Sequence, residues 1–568
     1  MITPEMPRRM FLRIGANATL GAATLGMAGS ASRKQEETAM TTYAIQQRQV
    51  FEVAFESTRH YENPYQDVDF HLVITLPDGN EQIAPGFWAG DNIWKARVSI
   101  SRTGDAAFRT ICSNEEDVGL HGRAGVFAVQ PYSGANPLLQ RGRLRIAEDK
   151  RHFAHEDGTP FLWIGDTWWM GLSARLDWPH GFQELTADRV AKGFNVIQIV
   201  AGPYPDMPPG DPRNNNEAGY PFLDEFARIN PAYYDFADLK IAHLVRNGLV
   251  PCIVGMWGYY LPIIGEERAA RFWQYLVARY AAYPVVWCLC GEGAMPWYLA
   301  KDRKADTARQ KKGWTEIMRR VRTTDSYHNL ITIHPTQFGR DQVEDDSLMD
   351  FEMLQTGHSD MDSVPNVIHS VAKAVAREPR MPVVNSEVNY EGILGRCWQN
   401  VQRLCCYHTL LHGAAGFTYG ANGIWQANTD TPYGPSPHGV CWGNTPWREA
   451  MRLPGSAQVG HAGRCLSQFP WWELEAHPEW MDGADKVSDP YAPVATGIPE
   501  KLRIFYLPLC WTPPAVRALE PGLKYQAWYF DPCTGKRHEI GEISGDADGN
   551  WRPPIPPEAH DWLVALER

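Results

Sequence analysis

The chain has 568 residues, too many for one compact core, so roughly two to four domains are expected. Charged residues make up 21% and the net charge is −12, which marks a soluble, mildly acidic protein. With no Lys/Arg run interleaved with aromatics beyond the N-terminus, that charge excludes a nucleic-acid partner. Aromatic residues reach 12%, 22 of them Trp, more than packing usually requires.

The first residues read as an address. Arg8-Arg9 precede an Ala/Gly/Leu-rich stretch from Ile14 to Met27, and Ala28-Gly29-Ser30-Ala31-Ser32 would suit signal peptidase. Residues 1–32 are therefore expected to be a twin-arginine signal, and the protein to be exported, periplasmic or extracellular, with no membrane contact once the signal is gone. A membrane anchor is the alternative, but the apolar run falls short of the ~20 residues a bilayer requires. The eleven cysteines are an odd set without metal-ligand or small-scaffold spacing. Cys288-Leu289-Cys290 and Cys405-Cys406 read as small core residues, and neither a metal nor another cofactor is expected. Twin-arginine export carries folded proteins, so no disulfide framework is required.

From about 45 to 145 the chain alternates as strands do, as in Asp67 to Ile74 running into Pro77-Asp78-Gly79, and Trp94 to Ile100 ending at Thr103-Gly104-Asp105. This segment is expected to form an N-terminal β-sandwich. From 150 to 462 short buried apolar runs alternate with amphipathic stretches, the texture of repeated βα units. The strand candidates are Phe161–Gly165, Asn195–Val200, Val250–Val254, Val285–Cys290, Leu330–His334, Met349–Leu354, Val383–Ser386 and Ala414–Tyr419. Eight such strands close a (β/α)8 TIM barrel, although the gap between the fifth and sixth is too short for a full helix. Residues 463–568 return to strands, among them Leu502–Tyr506, Tyr525–Phe530 and Asp561–Leu566, and read as a C-terminal β-sandwich.

In such a barrel the working groups stand at the carboxyl ends of the strands. The fourth strand stops at Gly291-Glu292-Gly293 and the seventh at Ser386-Glu387. Strands four and seven lie across the barrel from each other, so both glutamates would face one mouth. Cleavage of a glycosidic bond needs one carboxylic acid to protonate the leaving oxygen and one carboxylate to attack the anomeric carbon or activate water. A glutamate after a strand can also cap a helix or pair with an arginine; two of them on strands four and seven favour catalysis.

Other strand ends suit sugar recognition, since indole faces stack on the C–H faces of sugar rings while Asp, Gln and His bond hydroxyls. Candidates are Asp166, Trp168 and Trp169 after the first strand, Trp257 and Tyr259 after the third, and His334 after the fifth. Gln355 and His358 after the sixth, Tyr390 after the seventh, and Trp425 beyond the eighth complete the set. Individually each is as easily a packing residue; their concentration at one end is the signal. Asp166 with His334 and His358 could in principle hold a metal, but no ligand pair lies at close spacing. Neither a His-x-His pair after the first strand, a Gly-rich phosphate cradle nor a G-x-S-x-G elbow is present.

These residues resemble an apiosidase-like glycoside hydrolase family, in which a β-sandwich precedes the barrel and a domain named for collagen binding follows it. The carriers are Gly86 to Asp91 with Trp94 to Arg97, Pro160 to Trp169, Trp287 to Glu292, Ser386-Glu387 with Tyr390-Glu391-Gly392, and Tyr529 to Gly535. The resemblance implies a retaining mechanism with Glu292 as acid/base and Glu387 as nucleophile. Relatives often carry Gly-Asp where this chain has Gly291-Glu292. Glu391 is the rival nucleophile, set behind Glu387 because it would lie in the following loop. The expected partner is a carbohydrate, a polysaccharide side chain or oligosaccharide cut by exo action, with apiose- and arabinose-type furanosides suggested by analogy. The alternative is a non-catalytic carbohydrate-binding or adhesion protein on a degenerate hydrolase scaffold. Oligomeric state is not legible.

Overall fold

The computed structural model describes residues 40–568 apart from Val487 and Cys510. The export signal read at residues 1–32 lies outside the described residues. Among the described residues no helix is long and apolar enough to cross a membrane. The ten described cysteines are free, and eight of them are buried.

Seven strands between Thr41 and Gln130 build the N-terminal domain. Gly104–Cys112 alternates buried and exposed side chains along its length, the pattern of a strand with one face on a core. Strand Glu81–Trp88 belongs to two ladders, its first half pairing with Phe70–Thr75 and its second with Ile93–Val98. The change falls at Pro85-Gly86, where the proline lacks a ladder donor and the glycine accepts the Phe70 ring; a Cβ there would meet Phe70 Cδ1 at 2.2 Å. The strands thereby wrap one core, centred on Phe70, Leu72, Ile74, Trp94 and a stacked Phe108–Phe127 pair at 4.7 Å.

The barrel strands are Trp163–Trp168, Val196–Val200, Val250–Trp257, Val286–Gly291, Ile331–Thr332, Glu352–Gln355, Val383–Glu387 and Gly416–Tyr419. All eight expected strands are present, joined in parallel in chain order except between the fifth and the sixth, with the eighth returning to the first. Their side chains are almost wholly buried because helices cover the outer face and side chains fill the inner one. Helix Val364–Val375 shows how: Val364, Val367, Ile368, Val371 and Ala374 recur at helical spacing and are its buried stripe. The short gap between strands five and six holds only the 3₁₀ turns Gly339–Gln342 and Asp346–Leu348. There the ladder is open, and the seam is held by Thr332 Oγ1 donating to Phe351 O (2.8 Å) and Asp350 N donating to Ile331 O (2.9 Å).

The C-terminal strands differ from the sandwich expected of them. Six strands from Glu475 to Glu567 form one antiparallel sheet, and its far side is covered by irregular chain that includes isolated bridges of Val516 to Met481 and Trp551. Ile504, Tyr506, Trp528 and Leu563 on the near face merge with the barrel core, where Tyr506 stacks on Tyr407 at 4.5 Å. Sharing a core with the barrel removes the need for a second sheet.

A buried ionic clamp joins the first domain to the barrel. Arg97 bonds Asp238 on helix Pro231–Arg246 and donates to Arg279 O (2.7 Å), while Arg279 on helix Glu266–Tyr280 donates to the same Asp238 (2.6 Å). Burial alone would raise the Asp238 carboxyl, but the two guanidiniums hold it down at about 2. Removing the shared acid would leave Arg97 with Glu52 (2.9 Å) and Arg279 with Asp235 (2.6 Å), both more exposed than Asp238, so each buried cation would lose its most buried partner. We expect Asp238→Ala to lower unfolding stability by about 1–3 kcal/mol, read by chemical denaturation; an unchanged midpoint would show that the clamp is idle.

Candidate active site

The fourth barrel strand ends in a constrained turn. Gly291 lies under the Trp257 ring, where a Cβ would come within 2.2 Å of Cε3, so only glycine lets the indole settle there. Glu292 follows in the left-handed region, at φ 49°, a conformation that costs a non-glycine residue energy and is kept where the surroundings over-determine it. They do so here: Gly293 N donates to His334 O (3.0 Å), Trp257 Nε1 to Glu292 Oε2 (3.0 Å) and Gln355 Nε2 to Glu292 Oε1 (3.2 Å). Gln355 is aimed by a register shift between Leu354 and Gln355 in the ladder with the seventh strand.

Glu387 is the last residue of that seventh strand. His358 Nε2 lies 2.8 Å from Oε1, and His334 Nε2 lies 3.3 Å from Oε2, within ion-pair reach though off the line of a hydrogen bond. The His358 ring stacks on Tyr390 at 4.8 Å, Tyr390 stacks on Trp425 at 6.0 Å, and Trp169 Nε1 donates to the Tyr390 hydroxyl (2.9 Å).

The two carboxyls are driven apart in proton affinity. Burial, reinforced by the negative charge of Glu387, pushes Glu292 up to about 7. Burial would push Glu387 up as well, but the imidazoles of His334 and His358 outweigh it and hold that carboxyl well below the usual range. Near neutral pH one glutamate keeps a proton and the other stays ionised, the division of labour that acid-assisted displacement requires.

Both glutamates line one cavity of about 290 Å³ at the carboxyl ends of the strands, together with Trp169, Trp257, Gln355, His358, Tyr390 and Trp425 from the expected set. His334 lies beneath, fully buried, edge-on to Trp169 at 5.2 Å. Three expected residues are elsewhere. Asp166 is fully buried and committed to Arg189 Nε (2.5 Å), Trp168 Nε1 (2.7 Å) and Thr167 N (2.9 Å), which also removes it as a metal ligand. Trp168 packs edge-on to Phe182 of helix His180–Lys192 at 5.5 Å. Side chains alternate along a strand, so Asp166 and Trp168 share the outer face. Tyr259 is buried behind Trp297 and Tyr298, its hydroxyl donating to Met207 O (3.2 Å). The rival Glu391 also points away, accepting from the Tyr419 hydroxyl (2.5 Å) and Gly455 N (3.1 Å).

Sequence reasoning missed Pro205, Asp206, Met295, Tyr298, Ile393, His438 and Trp442, which also line the cavity. Asp206 follows the second strand, whose polar and aromatic end was a usable signal. His438 and Trp442 come from a long irregular segment after the eighth strand, with no spacing to mark them.

A parallel barrel whose mouth holds two glutamates of unequal proton affinity in an aromatic cavity is the arrangement of a glycoside hydrolase. The chain belongs to the apiosidase-like family: the model of the apiosidase-like catalytic domain matches residues 147–473, and a domain of unknown function, DUF5060, matches residues 44–113. No curated protein matches the sequence. Among solved structures, one titled glycoside hydrolase is 21% identical, with TM-score 0.63, over 77% of this chain and 98% of its own. A glycoside hydrolase family 5 protein from Bacteroides vulgatus is 23% identical, with TM-score 0.63, over 77% and 94%. A third, from the same bacterium and provisionally titled a glycoside hydrolase, is 18% identical with TM-score 0.67 over 92% and 100%. At these identities the likeness is one of fold.

A carboxyl whose proton affinity rises on folding adds stability below its ordinary range and loses it as pH climbs through the raised value, here about 7. Wild type should therefore lose thermal stability relative to Glu292→Gln between about pH 5 and about pH 8. Parallel melting curves for the two across that range would contradict the raised affinity.

Proposed function

We propose that the protein is an exported, retaining glycoside hydrolase that removes a terminal sugar from a polysaccharide side chain or oligosaccharide, with furanosides of the apiose and arabinose type as first candidates. The observation that carries this reading is the unequal glutamate pair in one cavity. Glu387, kept ionised by His334 and His358, attacks the anomeric carbon, while the Glu292 proton passes to the departing glycosidic oxygen. Glu292, now a carboxylate, takes a proton from water as that water displaces Glu387 from the sugar. Trp169, Trp257, Tyr390 and Trp425 line the cavity and give the ring an apolar wall. A volume at the small end of ligand sites, about 300–1,000 Å³, suits a terminal residue better than a length of chain. Export is supported by the leader-like first 32 residues, and the furanoside preference by family likeness.

A panel of aryl glycosides, including pentofuranosides, tests the reading; binding without turnover of any member would favour the carbohydrate-binding alternative. With a substrate in hand, Glu292→Ala should lose about 10²–10⁴-fold in kcat on poor leaving groups, and Glu387→Ala more. Azide should rescue Glu292→Ala on good leaving groups with retained configuration, and Glu387→Ala with inverted configuration. In wild type, kcat/KM should fall as pH rises through about 7 and the acid is lost, a limb absent from Glu292→Gln. Full activity in either alanine variant would sink the assignment.

A further inference from the structure

Among the described residues, Asp206 is the one carboxylate in the cavity that the displacement leaves without a task. It is 6% exposed, sits in the left-handed region at φ 58°, and is the point where three loops meet. Tyr298, from the loop after the fourth strand, donates its hydroxyl to Oδ1 at 2.6 Å. Trp442, from the segment after the eighth, donates Nε1 to Oδ2 at 2.9 Å. Both partners are neutral, and burial raises the carboxyl's proton affinity. Arg213, from the same loop as Asp206, is committed to Asp211 at 2.7 and 2.9 Å.

A carboxylate oxygen has two acceptor sites, so after these bonds Oδ1 and Oδ2 each retain one. The free pair can take two O–H donors side by side, and adjacent hydroxyls of a sugar ring offer such donors. The charge of the surroundings narrows the ligand further. Among the described residues the lining holds three carboxylates and no lysine or arginine. His358 is engaged with Glu387, and His438 stands edge-on to Tyr298 at 4.6 Å with its ring nitrogen 3.0 Å from Ser436 Oγ. A sugar bearing a carboxylate or sulfate would bring a further negative charge into a water-poor cavity that already holds ionised Glu387, without a guanidinium or ammonium to receive it.

We infer that Asp206 binds two adjacent hydroxyls of the terminal sugar, held in orientation by Tyr298 and Trp442, and that the cavity selects a neutral sugar and rejects uronic acids and sulfated sugars. This rests on the glycoside hydrolase reading and names the substrate class of the same site.

The test uses the full chain and two sets of probes. In turnover, the neutral aryl glycoside cleaved best is compared with its uronic acid counterpart, expected to be at least about 100-fold lower in kcat/KM. Asp206→Asn keeps the size and removes the charge. It should raise KM about 10–100-fold with a smaller change in kcat, the scale of one charge-assisted hydrogen bond. On a deoxy glycoside lacking one of the two hydroxyls, wild type and Asp206→Asn should converge. Trp442→Phe, which removes one orienting donor, should move KM in the same direction, and melting curves check that both variants fold. If wild type cleaves no glycoside, the hydrolase reading fails, and calorimetric titration with L-arabinose, D-galactose and D-galacturonate still decides the charge preference. Galacturonate bound or its glycoside cleaved as well as the neutral sugar, or an unchanged KM in Asp206→Asn, would overturn the inference.

Discussion

Two carboxyl groups buried in one cavity cannot both ionise cheaply, and the mouth of this barrel is arranged around that constraint. Each charge costs solvation, and each raises the other's hold on its proton. The imidazoles of His334 and His358 settle the conflict by favouring ionisation at Glu387, which leaves Glu292 as the group that keeps a proton. The supporting shell follows from that choice. Tyr390 fixes the His358 ring by stacking, Trp169 fixes the Tyr390 hydroxyl, and Trp257 and Gln355 fix Glu292 in a strained turn that Gly291 and Gly293 make possible.

The frame beneath is held rigid by buried charge of another kind. Asp166 with Arg189 ties the first strand to its own helix, and Arg97 with Asp238 and Arg279 ties the N-terminal strands to two barrel helices. Arg403, on helix Gln399–Leu411, pairs with Asp561 at 2.6 Å and brings the C-terminal sheet against the far side. Such pairs add less net stability than their number suggests, because desolvation opposes them, but breaking one strands a buried charge. They act as registers for helices whose neighbouring strands carry the catalytic groups.

Much of this was legible because burial on both faces writes continuous apolar runs into barrel strands, and each of the eight runs became a strand. The fifth-to-sixth gap, too short for a helix, fell where the barrel ladder is open. The glutamates were legible because strand ends are the working positions of this fold. The errors were of facing and of long-range packing. Asp166 and Trp168 sat at the right end of the right strand, but the two-residue period turned them outward, and only Trp169 faces the cavity. Asp206, His438 and Trp442 reach the mouth on irregular segments whose path depends on contacts far apart in the chain. The C-terminal strands alternate as a sandwich would, yet the barrel itself supplies the apolar surface a second sheet would have offered.

The division of roles between the two glutamates is tested most directly by trapping. A 2-deoxy-2-fluoro glycoside with an activated leaving group slows release of a covalent intermediate, and peptide mass spectrometry then locates the sugar. Glu387 as nucleophile predicts stoichiometric labelling of the peptide that carries it, lost in Glu387→Gln and retained in Glu391→Gln. Labelling at Glu391, or complete hydrolysis with inverted configuration and no adduct, would contradict it.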